Sequence, residues 1–371
     1  MKILYVAAFA EPGNESWFSL GRQRKVSQVI AILSTLNFEV IRLNIAPQNK
    51  SAPSQGLVNL CQSDFVPVRF AQLLLSSLSF FLFSKHLHSA SIIWLYNTRA
   101  AESIVALVCL LLHPRLALVL QLEDLPSARL ANHGFAGFID HIFTYLLGRR
   151  AKHIFAVSEN VAAAFTRLSP VSQRKIHILP PALDPLFISK AERRIEPFSS
   201  SSFSILYAGS YQAEKGVDDL IEAFLRLPRG IYTLYLVGSA PIEISSKFKY
   251  CNEIVFTGVV SIDELFDYYV SADVVVNPHR SILNPDHVFP FKLIETFACG
   301  ALPLTTPVPG VENLGLPEVC IFSGVDELTR LLSSAQSIWI DNRSLIRNLA
   351  FRARVNFSFP TIACLIKKNL V

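Results

Sequence analysis

Apolar residues recur along this chain at two spacings, and the two alternate. Residues 2–9, 38–43, 91–96, 116–122, 152–157 and 176–179 are short, nearly continuous apolar runs. That is the pattern of strands buried on both faces. Between them apolar positions fall three and four apart. Val26, Val29, Ile30 and Leu33 within residues 21–36 make such a stripe, the mark of an amphipathic helix. Helices are likewise expected over residues 70–86, 101–112, 135–150 and 161–166. Strands alternating with helices predict a parallel sheet covered on both faces.

The alternation lapses at residues 188–203, ISKAERRIEPFSSSSF, which are charged and then Ser-rich. A domain linker is placed there, over residues 191–203. Strands resume at 204–208, 234–239 and 255–260, and the alternation continues to about residue 350. The expected fold class is therefore α/β. Two Rossmann-like, doubly wound parallel-sheet domains, residues 1–190 and 204–350, would face a cleft and bind ligands at the carboxyl ends of their strands. Residues 351–371 form an amphipathic tail.

Composition narrows this picture. The 371 residues are 51% hydrophobic and 17% charged, with a net charge of +5. The charge is too mild to argue for nucleic acid, but it suits an anionic substrate or an anionic membrane surface. Six cysteines are scattered without paired or metal-binding spacing, as free thiols in a reducing cytoplasm would be. Nine histidines show no ligand spacing, and no Asp-x-Asp pair is present, so no catalytic metal and no cofactor are expected. The opening residues read as a buried strand rather than a signal peptide, because Lys2 is a weak basic lead and the apolar run is short. The apolar stretch at 70–83 would span only about 21 Å as a helix, and that at 104–122 is broken by His113, Pro114 and Arg115. No transmembrane span is expected.

The candidate chemistry centres on residues 289–310, FPFKLIETFACGALPLTTPVPG. Pro290 suits a first helical position, Leu293, Ile294 and Phe297 form the buried face, and Gly300 suits the stop. Lys292 and Glu295 interrupt that helix three residues apart, so they share a face. A lysine in a first turn opposes the helix dipole, and it makes sense beside a bound anion. Glu295, one turn deeper, could accept hydrogen bonds from hydroxyls next to that anion, as in a nucleotide. An i,i+3 surface ion pair reads the same way locally. A second stretch, LYAGSYQAEKG at 206–216, gives strand, Gly turn and helix start with Lys215 at its mouth: an anion cradle, or a solvated lysine before a helix. In VLQLEDLPSAR at 119–129 a strand ends in Glu123 and Asp124, which could orient or deprotonate a hydroxyl, or cap a helix.

These stretches together resemble family 4 glycosyltransferases (glycosyl transferases group 1), the retaining enzymes of the GT-B fold. Pro290, Lys292 and Glu295 match a Pro-x-Lys-x-x-Glu form of the family signature. The resemblance implies that Glu295 binds the nucleotide ribose, with His287, Phe289 and Phe291 also at the donor. His287 stands where many members carry a second Glu. It implies that Lys215 contacts the donor diphosphate, with Gly209 and Ser210 in the same loop, Ser210 replacing a common Arg. Gly258 and Val259 would lie against the nucleobase, and Gly21 and Arg22 near donor phosphate and acceptor. Asp124 matches a His-Asp pair of relatives, Glu123 replacing the His. The tail would be the last helix of the GT-B fold, packed back on the first domain.

The implied reaction is front-face transfer from a nucleotide-diphosphate sugar to a glycan or lipid-linked acceptor, with Lys215 and Lys292 stabilising the leaving charge. Cell-surface polysaccharide synthesis and peripheral contact with the inner face of the membrane would fit. An epimerase or hydrolase of the same fold, or a non-catalytic subunit of a polysaccharide assembly complex, is the alternative.

Overall fold

The computed structural model describes residues 1–8, 20–45, 57–60, 66–83, 89–123, 125, 135–199, 202–280, 291–308 and 311–370. Its chain forms two compact units, residues 1–182 with 359–371, and residues 183–358.

In the first unit the apolar runs become strands β1 (Lys2–Ala7), β2 (Glu39–Asn44), β3 (Leu57–Asn59), β4 (Ala90–Tyr96), β5 (Ala117–Leu122), β6 (His153–Ala156) and β7 (Ile176–Ile178). They pair in parallel in the order β3-β2-β1-β4-β5-β6-β7. Central strands are apolar at nearly every position because both faces are covered. From Ile3 onward β1 is wholly buried. On one face Tyr5, Trp94 and Phe155 stack in a row, ring centroids 6.1 and 5.2 Å apart. The polar tips of this aromatic layer are satisfied internally: Tyr5 Oη and Trp94 Nε1 both donate to Gln121 Oε1, at 2.8 and 2.9 Å. The stripe Val26, Val29 and Leu33 of the helix Leu20–Thr35 joins that core. Ile362, Ile366 and Leu370 of the terminal helix Phe359–Leu370 join it too.

The second unit holds β8 (Phe203–Ala208), β9 (Tyr232–Val237), β10 (Ile254–Gly258), β11 (Val274–Asn277) and β12 (Leu302–Thr305), parallel in the order β10-β9-β8-β11-β12. Period-two burial splits β8 between two cores. Ile205 and Tyr207 enter one, and Leu206 and Ala208 the other. The helix Phe291–Cys299 buries Leu293, Ile294 and Phe297 in the second core. It stops at Gly300, whose φ of 72° is the left-handed value expected there.

The charged run placed as a linker lies inside this second unit. Arg194 donates to the carbonyls of Cys299 and Ala272 at 2.9 and 2.6 Å, and the Asp273 carboxylate accepts from the Phe198 and Ser204 amides. Within this run Arg194 caps distant backbone, while Glu192 and Arg193 stay exposed. The tail is likewise divided. Residues 351–356 end the helix Arg343–Asn356 of the second unit, and only the residues beyond Ser358 belong to the first unit. Among the described residues, no helix is long and apolar enough to cross a membrane.

Candidate functional site

Lys292 opens the helix Phe291–Cys299, and its amine crosses to the end of β8. Lys292 Nζ lies 5.1 Å from the centre of the Tyr207 ring, a cation–π contact. It presses so closely on Gly209 that a Cβ there would land on the nitrogen. A side chain at this position would push the lysine tip aside. The Tyr207 hydroxyl donates to Ser210 O at 2.6 Å, pinning the turn after the strand. Glu295, one helical turn further in, is buried, so Lys292 and Glu295 are not a surface ion pair.

Lys215 follows β8 in the same loop and lies near enough to push the Lys292 amine down. It closes a short 3-10 turn, Ala213–Lys215, and Gly216 comes next with a left-handed φ of 63°. A Cβ on Gly216 would collide with the carbonyl of Pro278. Glycine is therefore required twice, for the turn and for the close approach. Lys215 Nζ stands 3.0 Å from His279 Nε2.

The two amines are gathered against electrostatic preference. Burial pulls the Lys292 amine down to about 8, nearby Lys215 pushes the same way, and Glu295 opposes both. Burial also lowers Lys215, against the pull of Glu214. His279 is lowered by burial and then by Lys215, with Lys292 adding a smaller push. Among the described residues, neither lysine has a carboxylate within salt-bridge distance. Two half-buried amines thus lie at the carboxyl ends of β8 and β11, an arrangement that can take an anion of two or more charges.

Gly258 closes β10, and its carbonyl accepts from Gly238 N at 2.9 Å, joining two strand ends with backbone alone. Val259 beside it is 56% exposed, an open apolar ledge. Phe291 is half-buried at the head of the Lys292 helix. His287 and Phe289 lie outside the described residues, as do Pro290 and Asp124.

The first unit presents a different polar centre at its own strand ends. Glu123 comes just after β5 and is buried, with Lys25 Nζ 2.9 Å from its Oε2. Its backbone N–H donates to Asn97 Oδ1 at 2.9 Å, and Gln121 Nε2 lies 3.4 Å from Oε1. Gly21 and Arg22 fall within the first turn of the helix Leu20–Thr35, not in a loop. Ser158 caps the helix Glu159–Leu168, its Oγ accepting from Val161 N at 3.3 Å. Among the described residues, no group of three or more His, Cys, Asp or Glu side chains is placed to hold a metal.

Sequence reasoning missed Tyr207, His279 and Arg280. The available signal was position: each lies at or just past the carboxyl end of a strand, where ligands of such sheets collect. Arg280 forms a paired contact with Asp219, Nε to Oδ2 at 2.9 Å and Nη2 to Oδ1 at 2.7 Å. It also donates to Ala213 O at 3.0 Å, tying down the Lys215 turn.

Residues 202–332, which hold all of this second-unit site, match the family described as glycosyl transferases group 1. Among solved structures the chain is similar to sucrose-phosphate synthase from Thermosynechococcus elongatus, with a TM-score of 0.76 and 16% identity over 99% of this chain and 98% of that one. It is similar to Anabaena HepE in complex with UDP and glucose, with a TM-score of 0.68 and 17% identity over 100% and 99% of the two chains. Similarity extends to UDP-GlcNAc 2-epimerase from Methanocaldococcus jannaschii, with a TM-score of 0.57 and 11% identity over 90% and 92%. At these identities the structures establish the fold, two parallel α/β sheets of the GT-B type. No curated protein matches the chain by sequence.

Proposed function

We propose that this chain, whose residues 202–332 carry a glycosyl transferases group 1 domain, is a retaining glycosyltransferase. In this reading its second unit grips a nucleotide-diphosphate sugar. The observation that carries it is Lys292 Nζ set against Gly209, with Lys215 near enough to push its amine down. Two lowered amines suit a diphosphate, whose charge would add to the pull of Glu214 on Lys215 and of Glu295 on Lys292. Glu295 would take the ribose hydroxyls, and Val259 with the Gly258 backbone would take the base. UDP is the first nucleotide to test, because HepE binds it on the same fold.

The reaction we infer is the one that the family resemblance implies. The bond from the sugar's anomeric carbon to the diphosphate oxygen breaks, and the electron pair leaves with the nucleoside diphosphate. The acceptor oxygen bonds to the same carbon on the same face, and its proton passes to the leaving diphosphate. Lys215 and Lys292 stabilise the charge that builds there, a contribution of roughly 3–4 kcal/mol for one well-placed donor. No enzyme nucleophile is required.

Thermal shift with UDP-, GDP- and ADP-sugars tests the donor. One of the three should raise the melting temperature, and Lys292→Ala should abolish that rise. Product analysis with and without acceptor separates transfer from epimerisation or hydrolysis. Absence of any nucleotide binding would instead favour a non-catalytic subunit.

A glycan or lipid-linked acceptor of surface polysaccharide synthesis is supported by the first unit. The helix Phe135–Arg150 exposes Phe138, Ile142, Tyr145 and Leu146 along one stripe and ends in Arg149 and Arg150. The helix Val66–Phe83 exposes Val68, Leu74, Leu75 and Leu82. Apolar stripes beside arginines suit docking on anionic lipid at the inner face of a membrane. Flotation of the whole chain with phosphatidylglycerol vesicles at low salt is the test, and failure to float removes this reading.

A further inference from the structure

The Lys215 ammonium rests on a histidine that no motif singled out, and the tautomer of that ring follows from its two contacts. His279 Nδ1 lies 3.0 Å from the carbonyl of Arg280. A carbonyl only accepts, so Nδ1 carries the proton. Nε2 then holds the lone pair, and Lys215 Nζ stands 3.0 Å from it as donor. One neutral tautomer satisfies both contacts, and it is the less common one for free histidine.

The backbone around the ring is held on every side. The Thr306 hydroxyl donates to His279 O. Pro278 O abuts Gly216, and Arg280 N donates to Glu214 O at 2.8 Å. The Arg280 guanidinium binds Ala213 O and Asp219. Residues 278–280 thus form a template on which the 213–216 turn is laid.

We propose that His279 is a positioning residue for the donor diphosphate: its Nε2 holds one N–H of Lys215 and leaves the remaining two in fixed directions for phosphate oxygens. This inference rests on the donor reading of the same site. It explains why a long, flexible lysine can act from a loop. One of its three hydrogen bonds is made before the ligand arrives, so less rotamer freedom is lost on binding. Among the described residues, the charged groups that act on the ring are Lys215, Lys292 and Glu214. Burial first, and then two cations against one carboxylate, favour the neutral imidazole that the contact with an ammonium requires.

Two variants separate positioning from mere packing. His279→Gln keeps an acceptor near the Nε2 position, whereas His279→Leu fills similar space without one. Calorimetry of the full chain at pH 7.5 with UDP, GDP and inorganic diphosphate should show His279→Leu binding about tenfold more weakly, the worth of one charged hydrogen bond. His279→Gln should stay within about threefold of wild type, and the melting temperatures of both should lie close to it. Equal losses in the two variants, or no loss in His279→Leu, overturn the inference alone. A wild-type chain that binds none of the three probes overturns the donor reading and this inference with it. Independently of any ligand, the long-range ¹H–¹⁵N spectrum should show His279 protonated at Nδ1 and bare at Nε2. The opposite tautomer removes the positioning role.

Discussion

The two sheets end in opposite electrostatic arrangements. At the end of β5 a buried carboxylate is met by its own cation: Glu123 and Lys25 are 2.9 Å apart, and the Glu123 amide is held by Asn97. At the end of β8 two amines are brought together, and among the described residues neither has a carboxylate in contact. The first centre is complete without a ligand. In the second, Lys215 pushes the Lys292 amine down, with Glu295 and Glu214 only opposing the lowering of the two amines. Strain of that kind persists only where the surrounding fold imposes it, and on the donor reading a bound diphosphate relieves it. Part of the imposition is visible in Gly209 and Gly216, whose lack of a Cβ lets Lys292 Nζ and Pro278 O approach.

Removing one of the gathered amines is the strongest way to break this contrast. Lys292→Ala should lower the transfer rate by about 10²–10³, the usual loss for a single charge-stabilising donor. The ligand-free variant should melt no lower than wild type, because a half-buried, repelled cation has gone. Steady-state kinetics and differential scanning calorimetry of the same preparation give both numbers. A large fall in melting temperature with activity retained would invert the assignment and make Lys292 structural.

Titration sharpens the contrast further. Lys292 is half-deprotonated at about pH 8, so donor affinity should fall as the pH rises through that value. UDP should bind roughly tenfold more weakly at pH 9 than at pH 7, a slope that Lys292→Ala should flatten. The stability of the ligand-free chain should move the other way. The folded value is below the ordinary lysine value of 10.5, so the unfolded chain holds more protons between the two. The contribution of this amine to stability therefore rises as pH climbs through 8 toward 10. Above pH 10 the buried Tyr207, whose hydroxyl is raised by burial, works against the fold. Isothermal titration and thermal melts across pH 7–10 should show the two trends crossing.

Much of the fold was legible in the sequence because period alone encodes it. Runs such as residues 116–122 had to be buried strands, and the stripe Val26, Val29 and Leu33 had to face a core. The position of Lys292 in a first turn, against the dipole, was a local signal of the site. What the sequence hid was long-range. Arg194 reads as a solvated charge, yet it satisfies carbonyls 78 and 105 residues away. His279 reads as a strand-end residue, and only folding brings Lys215, 64 positions earlier, onto its ring. Glu123 reads as an open carboxylate because nothing local announces that Lys25, 98 residues before it, closes it.

That closure supplies the mildest perturbation, and its effect should fall on stability alone. Glu123→Gln leaves shape and hydrogen-bonding capacity nearly intact while removing one charge. Lys25 would then face a neutral amide from a position still partly open to water. Partial exposure discounts the loss from the 3–5 kcal/mol of a fully buried broken pair to about 1–2 kcal/mol. Urea unfolding should show that loss, whereas UDP affinity should stay within twofold, since the second unit holds both amines. If Glu123→Gln instead weakens UDP binding as strongly as Lys292→Ala does, the two strand ends act as one centre. The division between a self-neutralised frame and a repelled, ligand-seeking site then fails.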